Sequence, residues 1–169
     1  MSSFYLGIGR SVVVAPLVEH QLHQHPTVEI LLAPERPFLF RSDTTEWTKT
    51  NAVAVGSGVS HQARELQGSF VSIQFLPERR WEMPVLFLDT EKSAENIEFF
   101  RALSARESTC SEVFRRAEEL ATACSGSSLA ERAVDARVLD VLERIQSMLA
   151  GRIRLKDLAY SACLSEDRF

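Results

Sequence analysis

The sequence predicts a β + α chain, with an N-terminal β domain followed by helices. Two observations carry this prediction. The first ninety of the 169 residues hold short β-branched and aromatic runs separated by prolines and glycines, whereas from residue 91 apolar residues recur at helical spacing. Short strands at regular spacing favour a sandwich or a barrel. The composition, 45% apolar and 25% charged, is that of an ordinary globular protein.

The predicted strands are runs of three to seven residues that end at turn-forming residues. They are residues 11–15, 28–33, 38–40, 52–55 and 69–75.

Two helices are predicted next, over residues 93–106 and 111–124, the second with Ser111 as its N-cap. A small polar stretch at 124–128 is the best candidate for a linker. A third apolar stripe, over 138–149, predicts another helix.

Composition and charge exclude several classes of protein. A formal net charge of −4 argues against a nucleic-acid binder that uses its whole surface. The chain holds no apolar run near the roughly 18 residues that cross a bilayer, and no basic start followed by an apolar block marks a secretory signal. Three scattered cysteines are too few for a disulfide framework, so a reducing, cytoplasmic setting is expected.

The stretch HQLHQHPTVEI, residues 20–30, concentrates three histidines and a glutamate. If it forms one strand, alternation places His23, His25 and Glu29 on the same face. Pro26 within the run indicates an edge position or a bulge, which could shift that register by one residue.

With His61 from another strand, these residues become a set of nitrogen and oxygen donors suited to Fe(II), Mn, Ni or Zn. The sequence therefore predicts a site at His23, His25, Glu29 and His61, and one of two interpretations is a site for a divalent metal. The alternative is a metal-free effector pocket lined by the histidines, with Glu29 paired to a nearby cation.

The stretch LKDLAYSACLSEDRF, residues 155–169, predicts a helix, a tight turn and the start of a second helix. Ser165 is the N-cap of that second helix, and acidic residues follow it in the first turn. This is the arrangement of a helix-turn-helix, although a helical hairpin that closes a core would give a similar pattern.

Residues 137–169 resemble the opening of the DNA-binding domain of AraC-type (arabinose-regulator) transcription factors. The residues on the family's positions are Leu155, Leu158, Ala159, Leu164, Ser165 and Phe169. The family's domain has two helix-turn-helix units, so the resemblance implies that this one is incomplete, in a fragment or a natural truncation. It also implies a set of DNA-contacting residues, namely Arg154, Lys156, Ser165, Glu166 and Arg168.

Members of that family usually carry an N-terminal cupin-type barrel, and the histidine stretch resembles the first cupin motif, H-x-H-x3-E. The second motif, P-x-G-x-x-H, is matched by Gly58 and His61, with Gly56 in place of the proline. Glycines that normally flank the first motif are replaced by Leu17 and Arg36.

The resemblance implies three parts: an effector-sensing cupin barrel at 1–90, a helical pair for dimerisation at 91–128, and the incomplete DNA-binding domain at 129–169. The chain is then a cytoplasmic, non-enzymatic regulator that binds a small-molecule effector, forms a homodimer and, in its full-length form, binds DNA, with no membrane partner. Aromatic residues of the helical pair are the predicted dimer contact: Phe99, Phe100 and Phe114.

Two other functions fit parts of the sequence. A stand-alone metal-dependent cupin enzyme, a dioxygenase or isomerase, would use the same histidines and glutamate, but it has no use for the C-terminal motif. A truncated protein could also bind the effector or a full-length partner without touching DNA.

Overall fold

The computed structural model describes residues 3–7, 9–16, 20–64, 68–76, 84–89, 91, 94–103 and 108–125, all within one compact unit, Met1–Glu131. The helix predicted over 138–149 and the DNA-binding segment at 129–169 lie outside the described residues. So do the predicted DNA-contacting residues, which are Arg154, Lys156, Ser165, Glu166 and Arg168.

The described residues form ten strands followed by two helices. The strands are β1 Ser3–Gly7, β2 Arg10–Pro16, β3 His20–His23, β4 Val28–Leu32, β5 Phe38–Ser42, β6 Thr48–Thr50, β7 Ala52–Val55, β8 His61–Arg64, β9 Ser69–Phe75 and β10 Val85–Phe87. The helices are α1 Ala94–Ala102 and α2 Cys110–Ser125. Neither of them is long and apolar enough to cross a membrane.

The strands pair antiparallel in two separate sheets. A six-stranded sheet has the order β1-β2-β9-β4-β7-β10, and a four-stranded sheet has the order β3-β8-β5-β6. Within the described ranges no strand pairing joins the two sheets, so the predicted barrel is seen as a two-sheet arrangement with helices. The five predicted strands correspond to β2, β4, β5, β7 and β9. The sequence did not predict the other five.

The six-stranded sheet is covered on both faces in its central strands. On one face, residues such as Leu31 and Val53 share a buried cluster with Phe38 and Phe40 of the four-stranded sheet. On the other face, alternate residues such as Ile30 form a second buried cluster with the two helices. Burial on both faces explains why β4 and β7 are almost continuous apolar runs. Glu29, inside β4, is the charged exception.

The helices are held by aromatic residues that face the six-stranded sheet. Phe99, Phe100 and Phe114, the predicted dimer contacts, are buried in this chain's own core. These three side chains therefore pack within the chain. A homodimer contact through the helices remains a prediction. The N-cap of α2 is Thr109 rather than the predicted Ser111, because the Thr109 hydroxyl accepts a hydrogen bond from the Glu112 backbone N–H at 3.2 Å.

We expect Phe100→Ala to lower the free energy of unfolding by about 3–5 kcal/mol, because the buried ring, 1% exposed, would leave a cavity between helix and sheet. The matched control is Phe4→Ala, at a ring 66% exposed, which should change the free energy of unfolding by less than about 0.5 kcal/mol. Urea denaturation measures both variants. Equal effects would contradict the packing of the helices against the six-stranded sheet.

Candidate metal centre

The four residues of the predicted site come from both sheets. His23 ends β3, His25 lies in the connection to β4, Glu29 is the second residue of β4, and His61 begins β8. The connection around Pro26 therefore crosses from the four-stranded to the six-stranded sheet. The prediction that His23, His25 and Glu29 share a face of one strand is wrong, because Pro26 separates two strands.

The structure nevertheless brings the four side chains together. Their ligand atoms, one from each of His23, His25, Glu29 and His61, all lie within 4.8 Å of one another. His23 and His61 are direct cross-strand partners on β3 and β8, and their ring centroids are 4.5 Å apart. The convergence thus depends on strand pairing in one sheet and on the packing of that sheet against the other.

Hydrogen bonds join the connection that contains His25 to the turn that precedes His61. The backbone N–H of Gly58 donates to the carbonyl of His25 at 2.8 Å, and the Ser57 hydroxyl donates to the carbonyl of Pro26 at 2.9 Å. Gly58 has a φ of 76°, in the left-handed region that favours glycine. The turn before His61 therefore holds the backbone of His25 in place.

The carboxylate of Glu29 is the most heavily contacted group of the cluster. Its Oε1 accepts hydrogen bonds from the Ser72 hydroxyl at 2.6 Å and, at a long 3.4 Å, from Nε2 of Gln74. Its Oε2 lies 2.8 Å from Nε2 of His25 and 3.2 Å from Nε2 of His61. Burial by itself would raise the pKa of Glu29. The hydrogen bonds that the carboxylate accepts, the one involving His25 first among them, outweigh burial and hold that pKa well below its usual range, so the group is ionised.

His25 is the hydrogen-bonding partner of this carboxylate. Its hydrogen bond to Glu29 raises the pKa of His25 above the ordinary value, with the negative charge of Glu29 acting in the same direction and burial opposing it. The alternative predicted from the sequence, a metal-free pocket with Glu29 paired to a cation, corresponds to this His25–Glu29 pair.

Backbone carbonyls orient the other two histidines. Nδ1 of His61 lies 3.0 Å from the carbonyl of Val59, and Nδ1 of His23 lies 2.6 Å from the carbonyl of Gln21. Since a carbonyl only accepts, each Nδ1 carries the proton, and a neutral ring then has its lone pair on Nε2. This is how metal-binding histidines are commonly fixed in one tautomer. Phe40 stacks on the ring of His61, with centroids 5.9 Å apart.

The buried Nε2 of His61 provides a test of whether a metal fits. This atom makes no hydrogen bond, although Oε2 of Glu29 lies 3.2 Å away. With one proton on the ring, directed from Nδ1 at Val59, that approach is a contact between two lone-pair atoms. A cation bound to both atoms would satisfy them. Three imidazoles and one carboxylate are a donor set for Fe(II), Mn, Ni or Zn, so the residues present fit a divalent transition metal.

The inner face of the six-stranded sheet is open on one side of Glu29. Cross-strand pairing places Leu6, Ser11, Gln74 and Glu29 in one row on that face. Leu6 is 58% exposed, whereas Val55, next to Glu29 on the opposite side, is buried. The four-stranded sheet therefore covers the β4–β7 half of the face and leaves the β1–β2 half accessible beside the cluster.

Sequence reasoning missed Ser72, Gln74 and Phe40 as members of the site. Ser72 and Gln74 lie two residues apart in β9, SFVSIQF, and both project onto the inner face. Polar residues at that spacing inside an otherwise apolar strand are a signal that could have found them. Phe40 carries no such signal, because an aromatic residue in a strand is normally a core residue.

No protein-family model matches the chain, and no curated protein matches it either. Among solved structures, the chain is similar to the AraC-like transcriptional activator CuxR, at 13% identity over 95% of this chain and 68% of that one, with a TM-score of 0.46. It is similar to apo ToxT from Vibrio cholerae at 10% identity, over 93% and 71% of the two chains, with a TM-score of 0.47. A third is the DMSP lyase DddQ from Ruegeria pomeroyi, at 20% identity over 46% of this chain and 41% of that one, with a TM-score of 0.33.

We expect Gly58→Ala to lower the free energy of unfolding by about 1–2 kcal/mol, because alanine is strained at a positive φ. A Cβ at this position would meet nothing within 4 Å, so the cost is conformational rather than steric. Gly58→Asn is the control, since asparagine tolerates this conformation better, and its cost should be clearly smaller. Urea denaturation of the three proteins decides. Equal costs for both variants would contradict the conformational explanation.

Proposed function

We propose that the described β domain binds a divalent transition metal and a small molecule, as the sensing part of an AraC-type transcriptional regulator. The observation that carries the proposal is the convergence of His23, His25, Glu29 and His61 between two sheets, with a buried Nε2 of His61 that lacks a hydrogen-bond partner. A buried acceptor of this kind is costly unless a proton or a cation satisfies it.

The residues that would hold the metal are His61, His23 and His25 through ring nitrogens, and Glu29 through Oε2. The carbonyls of Val59 and Gln21 orient two of the rings, and the buried, ionised carboxylate supplies the negative charge. A divalent metal bound there supplies a Lewis acid that attracts an oxygen or nitrogen donor of the effector.

The open half of the inner face supports a small amphipathic effector. Next to Glu29 it presents polar Gln74 and Ser11, and towards the sheet edge it presents apolar Leu6 and Phe4. A polar group of the effector would lie at the cluster, and its apolar part would lie across β1 and β2. Few convergent polar groups beside apolar surface are typical of small-molecule sites.

The regulatory part of the proposal rests on residues 137–169 and their resemblance to the start of an AraC-type DNA-binding domain. For the effector to regulate DNA binding, it must bind two arrangements of the protein with different affinity, since equal affinity shifts no equilibrium. The proposal includes a homodimer, because two-fold symmetry matches paired operator half-sites.

The cluster also favours a second candidate, a metal-dependent cupin enzyme. Three histidines and a glutamate beside an accessible face would equally bind a metal that polarises a substrate oxygen. The feature against this candidate is the C-terminal resemblance. DNA occupancy therefore separates the two functions, whereas metal content does not.

We expect the purified, tag-free protein to hold close to one equivalent of Fe, Mn, Ni or Zn, measured by elemental mass spectrometry after metal reloading. His61→Ala should reduce this to less than about a tenth of an equivalent, because a partly dismantled site loses most of its affinity. His20→Ala is the matched control, since it removes the one histidine that the sequence leaves outside the predicted ligand set, and it should retain the metal.

A wild-type protein that stays below about a tenth of an equivalent after reloading would contradict the metal centre, because a formed site binds tightly. The cluster would then be the wall of a metal-free pocket built around the His25–Glu29 pair.

We expect the chromosomally tagged protein, in its own cells, to be enriched at discrete DNA loci in chromatin immunoprecipitation. Replacing Arg154, Lys156 and Arg168 together by alanine should reduce that enrichment at least about tenfold, because each lost base or phosphate contact weakens binding. Lys49→Ala removes an exposed positive charge from β6 and should leave the enrichment unchanged. Absence of enrichment at any locus would contradict the regulator and favour the enzyme.

A further inference from the structure

We propose that Ser72 is a positioning residue of the metal centre, whose hydroxyl determines which oxygen of Glu29 faces the histidines. The inference rests on the proposed metal centre and adds a residue that lies outside the predicted ligand set. Ser72 touches none of the three imidazoles in the hydrogen bonds of the described residues, so its effect on the centre passes through Glu29.

The two oxygens of Glu29 have different surroundings. Oε1 accepts the Ser72 hydroxyl at 2.6 Å, a short bond typical of a hydroxyl donating to a charged oxygen. Oε2 lies 2.8 Å from Nε2 of His25 and 3.2 Å from Nε2 of His61. An isolated carboxylate has two equivalent oxygens, so this difference is imposed by the protein, and the hydroxyl is the strongest donor on the Oε1 side.

Strand pairing holds the Ser72 hydroxyl in place before any metal binds. Ser72 on β9 pairs with Leu31 on β4, and Gln74 pairs with Glu29, so Ser72 reaches Glu29 diagonally across adjacent strands. Ser72 is 8% exposed and Glu29 is 2% exposed, so water has little access to the bond. Gln74 reaches the same Oε1 at only 3.4 Å, which is too long to hold the carboxylate alone.

The hydrogen bond from Ser72 would determine how many oxygens of Glu29 are available to a bound metal. With Oε1 engaged by Ser72, Glu29 presents Oε2 alone to the space shared with His25 and His61. Without the hydroxyl, the carboxylate is free to turn and present both oxygens. Hydrogen bonds to ligating carboxylates commonly affect metal affinity by 10–100-fold.

The experiment uses the full chain with Co(II) as the probe metal, because its visible absorption reports the coordination number. We expect Ser72→Ala to weaken Co(II) binding by about 10–100-fold in chelator competition and to lower the intensity of the visible bands as the coordination number rises. Ser72→Thr keeps a hydroxyl at the same carbon and should restore both the affinity and the spectrum of the wild type.

Two controls separate positioning from general packing. Ser69→Ala removes a hydroxyl from the opposite face of β9, at the start of the strand, and should change Co(II) affinity less than about twofold. In a Glu29→Gln background, adding Ser72→Ala should also change the affinity less than about twofold, because the effect passes through the carboxylate. Thermal melting checks that each variant is folded.

Each outcome decides the question. Wild-type affinity in Ser72→Ala overturns the positioning role, and so does an equal loss with and without Glu29, which would show a merely structural effect. A wild-type protein that binds no Co(II) overturns the proposed metal centre together with this inference, so the two failures are distinguishable. If the extra methyl group of Ser72→Thr prevents folding, the comparison of Ser72→Ala in the wild type with Ser72→Ala in the Glu29→Gln background is sufficient to test the positioning role.

Discussion

The buried negative charge of Glu29 is the constraint on which the rest of the structure depends. It lies in β4, a strand otherwise made of buried apolar residues, where an uncompensated carboxylate would be strongly unfavourable. Its compensation comes from Ser72 within the same sheet and from His25, which lies in the connection from the four-stranded sheet. The site therefore links the two sheets through a polar contact, in addition to the apolar contacts between them.

The packing of the six-stranded sheet determines where such a site can exist. Its outer face is covered by the helices through residues such as Phe100 and Leu120. On its inner face, Phe38 and Phe40 of the four-stranded sheet cover the β4–β7 half. Glu29 lies at the boundary between this covered half and the accessible β1–β2 half. The carboxylate is thus shielded from water and lies next to the accessible half of the face.

The same arrangement explains why the cluster suits either a proton or a metal. In the described structure the carboxylate is paired with His25, while Nε2 of the buried His61 ring has no hydrogen-bond partner. Under the proposed function a divalent metal takes over the role of the proton and satisfies His61 as well. Because the cluster residues come from both sheets, occupancy of the proposed centre would act on the packing between the sheets.

The sequence by itself determined the change from a strand region to a helical region, and the members of the His/Glu cluster, because these depend on local patterns. Apolar runs predicted five strands, and helical spacing predicted α1 and α2. The H-x-H-x3-E spacing selected His23, His25 and Glu29, which the structure brings together with His61. Strands β3 (HQLH) and β8 (HQAR) lack apolar runs, so the local sequence does not predict that they form strands or pair with each other. Only the tertiary structure placed the ligands on two sheets, buried Phe99 and Phe114 in the chain's own core, and brought Ser72 to Glu29. The last two residues are 43 positions apart, and strand pairing over such a distance leaves no local signal in the sequence.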